Sequence, residues 1–161
     1  MKSRSTTDGE ENPPPSKGRR ILMSIEPRFG WEILNGYKKY ELRRLAGPLV
    51  EPGDVVYLYF TKPIAAMAGR FTAGIVFIAP PPNIPQLLAG LGDTGVGKED
   101  MEHIRGARYA LLIQVREPTQ CRASVKLSDI GLRPPPSYRR LDKATGERLD
   151  ELCQRPPRPG T

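Results

Sequence analysis

Proline and glycine divide this chain into short apolar segments. The chain has 18 prolines and 16 glycines in 161 residues, and both residue types interrupt long helices. Segments rich in β-branched and aromatic residues are typical of strands. The clearest segments of this kind span residues 21–25, 55–60, 64–79 and 109–115. The sequence therefore predicts a protein built around several strands with frequent bends.

The helical patterns are short and do not separate the strands one by one. They cover about residues 27–34, 84–91, 98–105 and 142–153. Such an order does not fit a parallel, doubly wound sheet. Gly69 and Gly74 are candidate bulges that help a sheet to curl. We therefore expect an α+β fold, a small, mixed, partly closed β-barrel with flanking short helices.

The domain is predicted to cover residues 19–153. Residues 1–18 carry scarcely any apolar side chain that could be buried to offset the entropy of ordering them. Residues 154–161 contain three prolines and no apolar run. Both ends are therefore predicted to be disordered tails.

Charge and the scarcity of histidine and cysteine narrow the function classes. The formal net charge is +7, which favours a polyanionic partner, nucleic acid before a membrane surface. One histidine, His103, and two cysteines do not build the usual zinc site or a histidine-dependent catalytic triad, so no metal or cofactor is expected. Cys121 and Cys153 are predicted to be free thiols, which suits a reducing cytosol. No apolar run approaches the roughly 20 residues of a membrane-spanning helix, so a cytoplasmic protein without membrane contact is expected.

Charged and aromatic side chains are concentrated in residues 36–44. If this segment is extended, Tyr40 and Leu42 face one side of the strand, while Lys39, Glu41 and Arg43 face the other. An acid flanked by bases can hold a phosphate, a base edge or a small polar substrate. The alternative is a solvated strand face whose charges pair with one another.

Several short motifs follow one another in a consistent order. They are Ser-Ile-Glu-Pro at 24–27, Gly36-x-Lys38-x-x-Glu41-x-Arg43, Pro-Gly-Asp-Val-Val-Tyr-Leu-Tyr at 52–59 and the glycine-containing strand at 69–76. Together they resemble the ASCH domain, the activating-signal-cointegrator homology family of the PUA-like superfold. Residues 95–99 and 135–138 extend the similarity to the prokaryotic branch of predicted transcriptional regulators. The resemblance covers about residues 21–152.

This resemblance implies a barrel with a cleft beside the first helix, lined by the strand at 38–43. Members are proposed to bind RNA or other nucleic acid there, so we expect a nucleic-acid-binding module with RNA as partner, serving transcription or RNA metabolism. Basic side chains would contact phosphates, tyrosines would stack on unpaired bases and Glu41 would accept from a base amino group. The expected binding residues are Lys38, Tyr40, Glu41, Arg43, Arg44, Tyr59, Lys62, Arg70 and Tyr138. Against this stands the reading in which Lys38 pairs with Glu41 and the tyrosines simply pack.

A hydrolase is the alternative that the resemblance raises. Some members are amidohydrolases of acetylcytidine, whose scheme resembles a Lys, Thr and Glu set, and one is reported as a ribonuclease. Carried across, the lysine is Lys38, but the threonine falls at Glu41 and the glutamate near Thr94 or Gly95. That chemistry is therefore disfavoured, and an enzyme would have to use Lys38, Glu41 and Glu26. An enzyme would bury Lys38 against Glu41 in a narrow cleft, whereas a binding module would show an open basic groove.

A third class is a transcriptional adaptor that binds protein through the proline-rich tails. It predicts that deleting residues 1–18 or 154–161 removes function while nucleic-acid affinity stays intact.

Overall fold

A computed structural model describes residues 19–157, so the predicted tail at 1–18 and the last residues of the other tail, 158–161, lie outside the described residues. The strands are β1 (Arg20–Ile25), β2 (Tyr40–Arg44), β3 (Val55–Phe60), β4 (Ala66–Ala79), β5 (Ala110–Val125) and β6 (Tyr138–Leu141). The helices are α1 (Pro27–Leu34), α2 (Ile84–Leu91), α3 (Lys98–His103) and α4 (Lys143–Gln154), with 3₁₀ turns at Pro81–Asn83 and Leu127–Ile130. Gln154, the first residue of the predicted C-terminal tail, is the last residue of α4.

The strands of the described region form one mixed sheet in the order β2-β5-β4-β3-β1-β6. β1 pairs in parallel with β3, and the other neighbours are antiparallel. The long strands β4 and β5 pair with each other along most of their length, whereas β3 covers only residues 66–72 of β4 and β2 covers only residues 110–114 of β5. The sheet therefore curves into a half-barrel, which confirms the predicted α+β, partly closed barrel.

Bulges let the long strands bend where the sequence predicted them. The β4–β5 register shifts on both sides of Gly69 and again across Gly74. The sequence also predicts a turn at Glu117-Pro118, but both residues lie inside β5. They oppose the single residue Phe71 of β4, and Glu117 has a φ of 52°. A bulge leaves one residue outside the hydrogen-bonded ladder, so a proline without an N–H is tolerated there.

Apolar clusters cover both faces of the sheet. Successive side chains of β3 enter different clusters: Val56, Leu58 and Phe60 pack with α1 on one face, whereas Tyr57 packs with α4 on the other. A third cluster lies where the β2–β5 end of the sheet meets α2, and it contains Ile84. These clusters fix the sheet from both sides and leave the gap between its two end strands as the place for a site.

Cys121 of β5 and Cys153 of α4 form a disulfide, so the prediction of free thiols is wrong. The two residues are 32 positions apart in the chain, but α4 packs directly on β5 and brings their Cα atoms to 4.5 Å. Sequence spacing carries no information on that packing. The inference from free thiols to a reducing cytosol loses its premise. Among residues 19–157, no helix is long and apolar enough to cross a membrane.

Candidate functional site

The candidate site is a cleft of about 260 Å³ at the seam where the half-barrel stays open. It lies between the end strand β2 and the opposite end of the sheet, where β1 ends and the chain enters β6. Helices α1 and α3 close its sides. Its lining residues are Ser24, Ile25, Glu26, Phe29, Lys38, Glu41, Leu42, Arg43, Arg44, Thr61, Asp100, His103, Pro136 and Ser137.

Arg43 spans the seam and ties its two sides together. Its Nη2 donates to the carbonyl oxygen of Ser24 at the end of β1, and its Nη1 donates to Ser137 Oγ at 3.3 Å. Its Nε donates to Glu41 Oε2 at 2.9 Å on the same strand. Glu41 and Arg43 share a face of β2, as the alternation of the strand predicts. The guanidinium therefore holds the Glu41 carboxylate in a fixed position at the cleft.

Lys38 is a buried ammonium between two carboxylates. Its side chain is 1% exposed, and Nζ bonds to Asp100 Oδ1 and lies 3.9 Å from Glu41 Oε1. The same Nζ stands 4.6 Å from the centre of the Phe29 ring. A buried charge is tolerated when it is paired in this way. Asp100, Lys38, Glu41 and Arg43 thus form one continuous row of alternating charge along the cleft.

The charges of the cleft balance, which differs from the predicted basic groove. Three bases line it, namely Lys38, Arg43 and Arg44, and so do three acids, namely Glu26, Glu41 and Asp100. The formal charges of these six side chains cancel. The net charge of +7 therefore resides elsewhere on the chain.

The loop at 92–97 packs against the backbone on either side of Lys38. The carbonyl oxygen of Thr94 accepts from the N–H of Lys39 at 2.8 Å. Gly95 has a φ of +78°, and a Cβ built there would lie 2.3 Å from the carbonyl oxygen of Tyr37 and 2.7 Å from the Cα of Lys38. Glycine is required because it tolerates both the positive φ and the close approach. The loop thus packs backbone against backbone over the start of β2.

Asp100 is the functional residue that sequence reasoning missed. Its Oδ2 accepts from the N–H of Gly97 at 2.8 Å and closes the first turn of α3, while its Oδ1 holds Lys38. An acid at this position of a helix start is a recognisable capping pattern. The pattern indicates where the carboxylate lies, but not the lysine 62 residues away that it contacts.

Three more of the predicted residues lie in or beside the cleft. Glu26 lines it from the start of α1, exposed and 3.9 Å from the Arg28 guanidinium. Arg44 lines it, exposed, with Nη1 donating to the carbonyl oxygen of Arg105 at 2.9 Å. Lys62 is exposed and directly follows the lining residue Thr61.

The remaining predicted residues lie away from the cleft. Tyr40 is 9% exposed and packs in the cluster near α2, because the alternation that turns Glu41 inward turns its neighbour outward. Tyr138 is 5% exposed in the cluster beside α1, where burial raises the pKa of its hydroxyl. Tyr59 packs against the cluster beneath α4. Arg70 donates to Asp150 Oδ1 of α4 at 2.7 Å, on the opposite face of the sheet.

Phe29 and His103 supply the aromatic part of the cleft lining instead. The sequence indicates Phe29 as an apolar position of α1 and His103 as a surface residue of α3. Neither was expected at the site. Within residues 19–157, no three His, Cys, Asp or Glu side chains are grouped so as to hold a metal ion.

The curved sheet of six strands with four short helices is the ASCH fold, as the sequence motifs implied. Solved structures with this fold include three of ZmASCH from Zymomonas mobilis, one of them a variant with tyrosine changed to phenylalanine and another with serine changed to alanine. Their TM-scores are 0.71 to 0.72 at 20% sequence identity, and the alignments cover 83–84% of this chain and 94–97% of theirs. At this identity the similarity shows the fold alone. No family model and no curated protein matches the chain.

Proposed function

We propose that the protein binds single-stranded RNA and holds one unpaired nucleotide in the cleft. The observation that carries this proposal is the row of fixed, buried polar groups facing a cleft of about 260 Å³. We assign a single unpaired nucleotide to a cleft of this size. Sequence-specific RNA recognition uses unpaired bases whose edges reach protein hydrogen-bonding groups. The ASCH fold and the net charge of +7 support the same partner.

Glu41 is the group best placed to accept from a base. Arg43 fixes one of its carboxylate oxygens, and the other stands 3.9 Å from the Lys38 ammonium. A carboxylate held in this way accepts from an exocyclic amino group such as that of cytosine. Glu41 would therefore select the base by its amino group.

The phosphates are expected to bind outside the row of paired charges. Lys38 is 1% exposed and neutralised by Asp100, so it does not reach a phosphate. Arg44 lines the cleft and Lys62 directly follows the lining residue Thr61; both are exposed, and no carboxylate of the described residues pairs with either. A strand entering the cleft would pass these two side chains.

The test is binding of a short single-stranded RNA to the full chain over a range of salt concentrations. Lys62→Ala should weaken binding for every sequence and lower the salt dependence by about one released counterion. Lys143→Ala is the matched control, because Lys143 is exposed at the start of α4, on the opposite face of the sheet. Equal affinity and equal salt dependence for the wild type and Lys62→Ala would contradict the proposed phosphate path.

A separate variant tests the proposed contact between Glu41 and the base. Glu41→Gln keeps the shape but replaces half of the carboxylate by a donor, so binding of RNA with cytosine at the bound position should fall by roughly 5- to 150-fold. An unchanged affinity would remove the cleft from the binding reaction.

Hydrolysis of a modified nucleoside or of RNA is the second candidate. The burial of Lys38 against Glu41 and Asp100 favours it, because this is the arrangement that distinguishes an enzyme from an open groove. The Glu41 carboxylate would accept a proton from the attacking water, and the Lys38 ammonium would hold that carboxylate in place. Turnover of acetylcytidine or RNA by the wild type, lost in Lys38→Ala, would support it. Binding without turnover would support RNA binding and contradict hydrolysis.

A further inference from the structure

The cleft needs an aromatic surface if it holds an unpaired base, and the predicted tyrosines do not provide one. Tyr40 and Tyr138 are buried in separate apolar clusters, and Tyr59 packs beneath α4. The aromatic side chains that line the cleft are Phe29 and His103.

Phe29 cannot itself stack on a base. It is 6% exposed, and its ring already carries two cations, with Arg28 Cζ 4.5 Å and Lys38 Nζ 4.6 Å from the ring centre. It is a fixed support for its neighbours.

His103 has the exposure that Phe29 lacks. Its imidazole meets the Phe29 ring at right angles, with ring centroids 5.5 Å apart. A perpendicular contact uses at most one face of the imidazole, and His103 is exposed and lines the cleft, so the other face is available to a bound base. His103 also stands three residues after Asp100, on the same face of α3, which directs it towards the row of charges.

We propose that His103 is the residue on which the bound base stacks, with Phe29 fixing the orientation of the imidazole. This inference rests on the proposed function, since it names the side chain that reads the flat surface of the nucleotide in that cleft. Histidine is one of the side chains on which unpaired RNA bases stack, and such stacking tolerates every base. Glu41 would then read the base edge while His103 holds the base plane.

The test combines protein variants with an abasic nucleotide. Short single-stranded RNAs, each with one abasic residue at a different position, are measured against the wild type, His103→Ala and His103→Phe. The position whose base occupies the cleft is the one where the wild type loses affinity. For RNA with all bases present, His103→Ala should bind roughly 5- to 150-fold more weakly, whereas His103→Phe should retain most of the affinity.

The role of His103 is tested by combining its replacement with removal of the base from the RNA. If His103 stacks on the base, His103→Ala loses little further affinity when that base is already absent. Equal losses on intact and abasic RNA, or equal losses in His103→Ala and His103→Phe, would overturn the stacking role. Because His103 is exposed at the end of a helix, each variant should keep the wild-type melting temperature, and this is measured alongside.

Failure of the inference can be told apart from failure of the proposed function. If Glu41→Gln weakens RNA binding while both His103 variants bind as the wild type does, the cleft binds RNA without stacking on His103. If neither the Glu41 nor the His103 variants change RNA binding, the proposed function and the inference both fail.

Discussion

Replacing Gly95 by alanine should open the cover over the buried lysine. A Cβ at Gly95 would lie 2.3 Å from the Tyr37 carbonyl oxygen and 2.7 Å from the Lys38 Cα, both backbone atoms that cannot swing aside. The matched control is Gly92→Ala, in the same loop. Gly92 has nearly the same positive φ, +81° against +78°, but a Cβ there has no neighbour within 4 Å. The pair separates backbone strain from steric displacement of the loop.

The expected energies follow from the lost interactions. Each alanine is held at a positive φ, which costs about 1 to 3 kcal/mol. Gly95→Ala must also move the loop away from β2 and lose the 2.8 Å hydrogen bond between Lys39 N–H and the Thr94 carbonyl oxygen. That bond is worth about 1 kcal/mol, and exposing or breaking the buried Lys38–Asp100 pair adds to the cost. Gly95→Ala should therefore lower the free energy of unfolding by at least about 1 kcal/mol more than Gly92→Ala.

Two assays check this reasoning. Urea denaturation gives the free energy of unfolding of each variant. Labelling with an amine-reactive reagent, read by peptide mass spectrometry, reports the accessibility of Lys38. We expect faster labelling of Lys38 in Gly95→Ala, with Gly92→Ala close to the wild type. Equal destabilisation of the two variants, with Lys38 protected in both, would refute the role of the loop as a cover.

Three further changes test other parts of the structure. Asp100→Asn leaves the buried Lys38 ammonium short of one partner and should destabilise the fold by about 3 kcal/mol in urea denaturation. Glu99→Gln removes only an exposed ion pair with Arg28 and should cost less than about 1 kcal/mol. Equal effects of the two changes would contradict the buried pair. Burial raises the pKa of Tyr57 from 10.0 to about 12, so the unfolded chain loses this proton first, and the stability that the protonated hydroxyl provides should be complete below pH 10.0 and decline towards pH 12. The free energy of unfolding of Tyr57→Phe should decline less over this window, and identical pH profiles for the variant and the wild type would contradict the raised pKa. The Cys121–Cys153 disulfide closes a separation of 32 residues, so its reduction should lower the free energy of unfolding by about 3 to 4 kcal/mol. In Cys153→Ser the melting temperature should no longer depend on reductant. If reductant leaves the melting temperature of the wild type unchanged, the disulfide does not stabilise the fold.

Local patterns predicted the features that depend on local geometry. The β-branched and aromatic run at 55–60 is β3 as predicted, and Gly69 and Gly74 lie at the expected irregularities of β4. β6 was not predicted, because its four residues Tyr138–Leu141 contain two arginines and no β-branched side chain. It is a strand because β1 offers it a free edge, which is a property of the assembled sheet.

For the cleft, too, the sequence predicted the features that depend on local geometry but not the contacts between distant residues. The two-residue period of β2 predicted that Glu41 and Arg43 share a face, and the same period turns Tyr40 away from them. Tyr40 therefore does not share a strand face with Glu41 and Arg43, although the sequence predicted all three as binding residues. The contact between Lys38 and Asp100 joins residues 62 positions apart, and no period or spacing in the sequence could indicate it.

The pairing of charges also bears on what the basic character of the chain means. A net charge of +7 suggested a basic cleft, yet two of its three bases, Lys38 and Arg43, are paired with the acids Asp100 and Glu41. Counterion release depends on cations that approach phosphates, and a cation already neutralised by a buried carboxylate contributes little to it. The affinity that the cleft provides should therefore come from hydrogen bonds and stacking, which salt barely changes. The salt-dependent part should come from exposed side chains such as Lys62, so each part can be removed without the other.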